Sequence, residues 1–313
     1  FTITKVVSRQ ADIWLAQFDT LAVRHDRMLS ALRMHSGVAI AQFNHYVQKR
    51  SLTPDDPEYG DQWQYDNDGS NGGTPDGDID APEAWEITTG GVTALGDTIV
   101  VCIIDDGIDL NHQDFAGNLW VNHDEIPNNG IDDDGNGYID DYRGWNQFFE
   151  NDDISGGGHG TPVAGIVGAR GNNGIGVAGV NWQVKLMIVN QGFVTEDAVI
   201  EAYSYPLGFR QKYNATNGQE GAFVVATNSS WGIDFGQPAD APLWCAFYDT
   251  LGAAGILNPS ATINGNQDVD IIGDLPTGCS SDFMISVTNL DNTDQKVPFA
   301  GYGLETIDLG AHG

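Results

Sequence analysis

Two short stretches concentrate side chains able to move a proton. Asp105-Asp106-Gly107 closes an apolar run, Ile99-Val-Val-Cys-Ile-Ile104, and His159 opens Gly158-His-Gly-Thr-Pro-Val-Ala-Gly165. A histidine acting as general base needs a second group that holds its ring and stabilises the imidazolium. An acid at the end of a buried strand is rigid enough to do this, and Gly107 lets the chain turn away just beyond it. Gly156-Gly157-Gly158 brings His159 to an exposed position, and Gly160, Ala164, Gly165 and Gly168 let the following helix pack closely. Strand-end acid first and helix-start base second is an order that suits a charge-relay site.

The elements that position these residues are readable from residue 97 onward. Apolar runs at 99–104, 184–189, 222–229 and 283–288 are expected strands; 159–169, 195–213 and 242–254 are expected helices. Fully apolar strands alternating with helices predict a parallel sheet covered on both faces. In such sheets the chemistry collects at the strands' carboxyl ends, where Asp105 falls. Ala81-Pro-Glu-Ala-Trp85 reads as a short helix with Pro82 in its first turn. Thr2–Val7 reads as a strand and 26–32 as a helix, while 51–82, rich in Pro, Gly, Asp and Asn, reads as a linker with turns. Trp63, Trp85 and Trp145 are expected in packing contacts.

A second constellation runs from Asn129 to Asp141. Asp132, Asp134 and Asn136 stand at alternate positions, Gly137 is sixth, Tyr138 offers a backbone carbonyl at the seventh and Asp140 is ninth. This is calcium-loop spacing, and carboxylates so crowded repel one another unless a cation joins them. The twelfth position is Arg143, so the run is not a full EF-hand. A metal-free acidic turn is the alternative.

Charge divides the chain. Residues 1–50 hold seven Lys/Arg against three acids (+4), and residues 51–313 hold six against 41 (−35), within a total of −31. The step marks a boundary near residue 50 and predicts attraction between the two parts. It argues against nucleic acid as a partner of the acidic part. No apolar run reaches the ~20 residues that span a bilayer, so no membrane is expected. Of three cysteines, Cys102 is expected as a buried free thiol, and Cys245 and Cys279, in loop-like contexts, as a pair if the protein is exported.

From about residue 80 onward the chain resembles the subtilisin-like serine proteases, the subtilases. Asp105-Asp-Gly107 resembles their aspartate motif and His159-Gly-Thr-Pro-Val-Ala-Gly165 their histidine motif. Asn173–Val180 resembles the stretch that follows the histidine helix. Ser230-Trp231-Gly232 resembles the segment whose backbone pairs with substrate. Asn264, in Ala261-Thr-Ile-Asn-Gly265, falls at the place of the oxyanion asparagine, with Asn266 as a rival. The resemblance implies an α/β fold, the three-layer subtilisin-like arrangement with a mostly parallel central sheet, plus a small N-terminal propeptide-like α+β segment. It divides the chain into a propeptide remnant (1–50), a linker or processing region (51–82) and a catalytic domain (83–313).

In roles, Asp105 would orient His159, His159 would be the base, and Asn264 would donate to the oxyanion. The resemblance further implies peptide or protein substrates, the chain's own propeptide as inhibitor, calcium as cofactor, secretion, and processing around Lys49-Arg50-Ser51. Asp106 departs from the commoner Asp-Thr-Gly or Asp-Ser-Gly and is expected to face away from the site. Asp152 and Asp153 are expected as solvated loop acids. No Gly-Thr-Ser-x-Ala stretch occurs, and Ser155, Ser229, Ser230 and Ser281 lack the nucleophile's context. The nucleophilic serine is therefore expected beyond Gly313, and the 313 residues alone are expected to be inactive. The rival expectation is a non-catalytic calcium-binding or adhesive protein on the same scaffold.

Overall fold

The structure is a computed structural model that describes residues 1–45, 52–192 and 195–313. The Lys49-Arg50-Ser51 processing region therefore lies outside the described residues. The chain forms two compact units, Phe1–Arg50 and Ser51–Gly313.

In the first unit, β1 (Thr2–Ser8) pairs antiparallel with β2 (Ile13–Gln17), and α1 (His25–Met34) follows. Strand β2 was not anticipated, because Ile13-Trp-Leu-Ala-Gln17 lacks a clean two-residue alternation. Asp26 in the first turn of α1 and Arg33 in its last complement the helix dipole. None of the described residues of this unit is fully buried, which fits a segment too small to enclose a core of its own.

The second unit is built on parallel strands. They are β3 (Ile99–Asp105), β4 (Trp145–Asn146), β5 (Lys185–Asn190), β6 (Phe223–Asn228), β8 (Asn258–Ala261), β10 (Met284–Leu290) and β11 (Leu309–His312). Strands β4-β5-β3-β6 and β11-β10-β8 are the two hydrogen-bonded groups, and parallel bridges Ala226–Leu257 and Ser229–Ser260 join β6 to β8. A small antiparallel pair, β7 (Ile233–Asp234) with β9 (Asp274–Leu275), stands apart.

Alternation along β3 creates three layers. Val100, Cys102 and Ile104 pack with Met187 and Val189 against α4 (Glu196–Thr216) and α5 (Pro242–Ala254), through Tyr203, Phe209, Trp244 and Leu251. Ile103, Leu186 and Ile188 face the opposite side and meet Ala164 of α3 (Gly160–Gly168). The fold is thus α/β and three-layered with a mostly parallel sheet. All four expected strands and all three expected helices of this part are present within a few residues. Strand β8 was missed because Pro259 and Asn258 read as a loop; they lie between β6 and β10.

Of residues 51–82, expected as a linker, the described residues 52–82 are bound into this unit. The Asp56 carboxylate accepts the backbone N–H groups of Asn172 and Asn173, Gln62 exchanges two bonds with Ala178, and Tyr65 packs with Trp85 and Trp182. Trp85 lies in α2 (Ala81–Trp85), which begins with Pro82 in its first turn. Cys102 is a buried free thiol. Cys245 and Cys279 form a disulfide, though Cys245 sits in α5 and not in a loop.

Candidate active site

Strand β3 ends at Asp105, and Gly107 then turns at φ +99°. A side chain there would meet the Ile154 carbonyl at 2.7 Å. Gly160 is the second requirement for closeness: a Cβ at this position would lie 2.3 Å from the Gly107 carbonyl. Two glycines therefore let the head of α3 seat directly on the end of β3.

The two candidate residues meet there. His159 Nδ1 lies 2.8 Å from Asp105 Oδ1, with Asp105 2% exposed and His159 57% exposed at the side chain. Asp105 Oδ1 also accepts the Asp106 N–H, at 2.8 Å, whereas Oδ2 is buried without a partner. Burial pushes the Asp105 carboxyl above the ordinary aspartate range, and the hydrogen bond from His159 opposes that shift. A buried acid fixes one imidazole nitrogen and leaves Nε2 to the solvent side, the arrangement a general base requires.

Asp106 is placed differently from its expected outward position. Its carboxylate accepts the His159 N–H at 3.1 Å and the Gly160 N–H at 2.6 Å. It caps α3 from the neighbouring strand, meeting backbone donors that the first turn leaves unpaired. Burial works against its ionisation, but these backbone bonds outweigh burial and hold the carboxyl below its ordinary value. A depressed pKa means that the cap stabilises the fold above the ordinary carboxyl range and is lost as pH falls through the lowered value. Asp106→Ala is expected to cost about 1 kcal/mol, read as a lower urea midpoint at neutral pH, with Asp106→Asn costing less. Equal midpoints for Asp106→Ala and the parent would contradict the cap.

The other candidates line the same edge or the loops beside it. Ser230-Trp231-Gly232 follows β6, and the Trp231 indole donates to the Ile104 carbonyl at 2.7 Å, one residue before Asp105. Asn228 donates to the Ser230 hydroxyl at 3.0 Å, and Gly232 lies against the Leu275 carbonyl. The tryptophan side chain thus anchors the segment beside the end of β3. Asn264 is exposed in the loop after β8, while Asn266 Oδ1 accepts from Lys296 at 3.0 Å. The Asp153 carboxylate accepts the N–H and the hydroxyl of Ser155.

A sequence model of the subtilase family matches residues 96–313. The chain belongs to the subtilase family. It is 48% identical over 104 residues to subtilisin-like protease 1 of Plasmodium berghei, covering 33% of this chain and 17% of that protein. It is 28% identical over 287 residues to the extracellular basic protease of Dichelobacter nodosus, covering 83% and 43%. The chain therefore spans less than half the length of these curated relatives. A protease structure from Pseudoalteromonas arctica matches with TM-score 0.55 and 26% identity, over 84% of this chain and 73% of that one. Among the described residues no helix is long and apolar enough to cross a membrane.

This subtilase chain carries an acidic loop ahead of the histidine. Glu125, Asp132 and Asp134 bring carboxylate oxygens within 4.8 Å of one another. Asp132 accepts the Asn136 and Gly137 N–H groups, and the Asn136 side-chain oxygen accepts that of Tyr138. Asp140 turns both oxygens to the N–H groups of Asn129 and Gly130. Glu125 was not anticipated: it stands seven residues before Asp132 and outside the alternating pattern. Its Oε1 accepts the Asp133 and Asp134 N–H groups, and its Oε2 is buried with no partner. Burial pushes the Glu125 carboxyl up, and the neighbouring Asp134 and Asp133 charges push it further against those backbone bonds.

Proposed function

We propose that this subtilase chain carries the acid and the base of a secreted serine endopeptidase. The observation that supports it most is the 2.8 Å contact between buried Asp105 and exposed His159 at the carboxyl end of the sheet. In this reading His159 Nε2 takes the proton of a serine hydroxyl as that oxygen attacks a peptide carbonyl. Asp105 holds the ring and stabilises the imidazolium, which then protonates the leaving amine. Water hydrolyses the acyl-enzyme by the same proton route. Asn264 donates to the tetrahedral oxyanion, and the backbone of Ser230-Trp231-Gly232 pairs with the substrate. In this reading none of Ser155, Ser229, Ser230 and Ser281 is that serine, and the 313 residues alone are expected to show no peptidase activity.

Residues 1–50 are read as a propeptide remnant, inhibitory toward its own catalytic domain, and 51–82 as the region where processing occurs. The opposite charges of the two parts, +4 and −35, support attraction between them. The disulfide Cys245–Cys279 supports export to an oxidising compartment, as does the extracellular protease among the relatives.

Calcium is the fitting ion for the acidic loop, because the donors are all oxygens and one buried carboxylate oxygen lacks a partner. Glu125, Asp132 and Asp134 would hold it, with Asn136 and Tyr138, through its carbonyl, as further loop donors; Asp140, whose two oxygens accept the Asn129 and Gly130 N–H groups, would instead brace the loop. Calcium would tie the loop together; it takes no part in the proton transfers above.

A fluorophosphonate that labels activated serines tests the assignment. The whole protein is expected to be labelled at one serine other than Ser155, Ser229, Ser230 and Ser281, and the His159→Ala protein is expected to stay unlabelled. Absence of labelling in the folded whole protein would favour a non-catalytic binding protein on this scaffold. Labelling of any of the four named serines would place the nucleophile wrongly.

A further inference from the structure

We propose that Lys296 is a positioning residue for the oxyanion donor: its ammonium clips the turn that carries Asn264 to the neighbouring segment 296–302. The role rests on the reading of Asn264 as that donor and specifies what aims it. Lys296 Nζ has three oxygens around it, Asn266 Oδ1 at 3.0 Å, the Val297 carbonyl at 2.8 Å and the Ala300 carbonyl at 2.9 Å. An ammonium carries three N–H donors, so this set satisfies it completely. The Tyr302 ring closes the cage, its centroid 5.5 Å from the nitrogen, a contact that favours a cation over the ring. Acids outnumber bases 41 to six in residues 51–313, yet Lys296 spends these donors on neutral oxygens. The side chain is therefore held by a built cage that spans two chain segments.

The clip falls where the turn is otherwise least constrained. At its base, one oxygen of the buried Asp274 accepts the Thr262 hydroxyl, the Ile263 N–H and the Thr277 hydroxyl, at 2.9, 3.0 and 2.6 Å. The Gly301 N–H donates to the Ile263 carbonyl at 3.0 Å, and a Cβ on Gly301 would lie 2.6 Å from Thr262 Oγ1. Past the tip, the Tyr302 N–H donates to the Gln267 carbonyl at 2.9 Å. Between these anchors stand Asn264, Gly265 and Asn266. Their backbone is bridged by two short contacts, Gly265 N–H to the Ile263 carbonyl at 3.0 Å and Gln267 N–H to the Gly265 carbonyl at 2.8 Å. Glycine at the centre leaves the tip conformationally permissive. Among the described residues no side-chain hydrogen bond holds the exposed Asn264, so the turn's backbone sets the direction of its amide. Lys296 restrains that backbone from two residues away, through Asn266. An oxyanion donor acts over a narrow range of distance, and a misplacement of about 1 Å costs on the order of 10²-fold.

Steady-state kinetics of the whole, processed protein on one peptide substrate tests the clip. Asn264→Ala is expected to lower kcat by roughly 10²–10³, the loss recorded for the oxyanion donor of subtilisin. Lys296→Met keeps the aliphatic stem and removes the donors; it is expected to lower kcat about tenfold or more and to leave KM within about twofold. Asn266→Ala, a change at an exposed residue that keeps the ammonium, is expected to reproduce that loss. In Asn264→Ala/Lys296→Met the lysine change should lower kcat by less than about twofold further, because no donor remains for it to aim. A loss that did not pass through Asn264 would multiply in full. Where Lys296→Met folds poorly, Asn266→Ala carries the same cycle. Parent-like kcat in Lys296→Met or Asn266→Ala, with Asn264→Ala still costly, overturns the clip alone, as does a full further loss in the double variant. An Asn264→Ala protein as active as the parent overturns the donor assignment and the clip with it. A folded parent that cleaves no peptide overturns the endopeptidase reading itself.

Discussion

Asp105→Asn in the whole protein is expected to lower kcat by roughly 10⁴ while leaving KM little changed. Asp105 Oδ1 stands 2.8 Å from His159 Nδ1, and only an acceptor at that place keeps the proton on Nδ1 and Nε2 free to act as base. An amide can present its N–H₂ there and reverse the tautomer without altering the shape of the site. Asp105 is only 2% exposed at the side chain, so solvent has little access to that contact. Steady-state kinetics on a peptide substrate reads the effect. A kcat within tenfold of the parent would contradict the assignment of Asp105, above all if Asp106→Asn were the damaging change.

The second large effect concerns the loop of Glu125, Asp132 and Asp134. A ligand that binds only the folded state stabilises it by RT ln(1 + [L]/Kd), about 2.7 kcal/mol at a hundredfold excess over Kd. Chelation of calcium is expected to lower the melting temperature accordingly. Asp134→Ala is expected to remove most of the difference between calcium-loaded and chelated protein, and Glu125→Gln a large part of it. Calorimetry with calcium and with chelator measures both. Superimposable melting curves for the parent in the two conditions would reject calcium at this loop.

The pairing of Asp105 with His159 was legible in the sequence because each sits at an element end with its own local signature. An apolar β-run closes on Asp105, and a glycine-rich approach opens a helix at His159. Their partnership follows from the glycines at 107 and 160, whose missing side chains allow the strand end and the helix head to touch. Long apolar elements such as β3, β5, α4 and α5 were readable for the same reason: periodicity and burial agree along them.

What escaped reading depends on contacts distant along the chain. Asp106 reads as an outward neighbour of the acid, yet its cap reaches 53 residues onward to the His159 N–H. Glu125 carries no spacing signal, since the fold and not the calcium-loop pattern brings it to Asp132 and Asp134. Polar composition made 52–82 look like a linker; its acids and amides are instead consumed in bonds to loop backbone, as with Asp56 at Asn172 and Asn173. Strand β8 was hidden by Pro259, whose place between β6 and β10 is a property of the sheet.

The most direct measurement is the peptide turnover of the whole protein against its His159→Ala variant, each shown to be folded by circular dichroism and melting. With the imidazole removed there is no base to take the serine proton, and turnover is expected to fall by roughly 10⁶, leaving only the small residue that oxyanion stabilisation and binding supply. Turnover by the variant comparable to that of the parent would show that the Asp105–His159 pair does not perform the chemistry assigned to it.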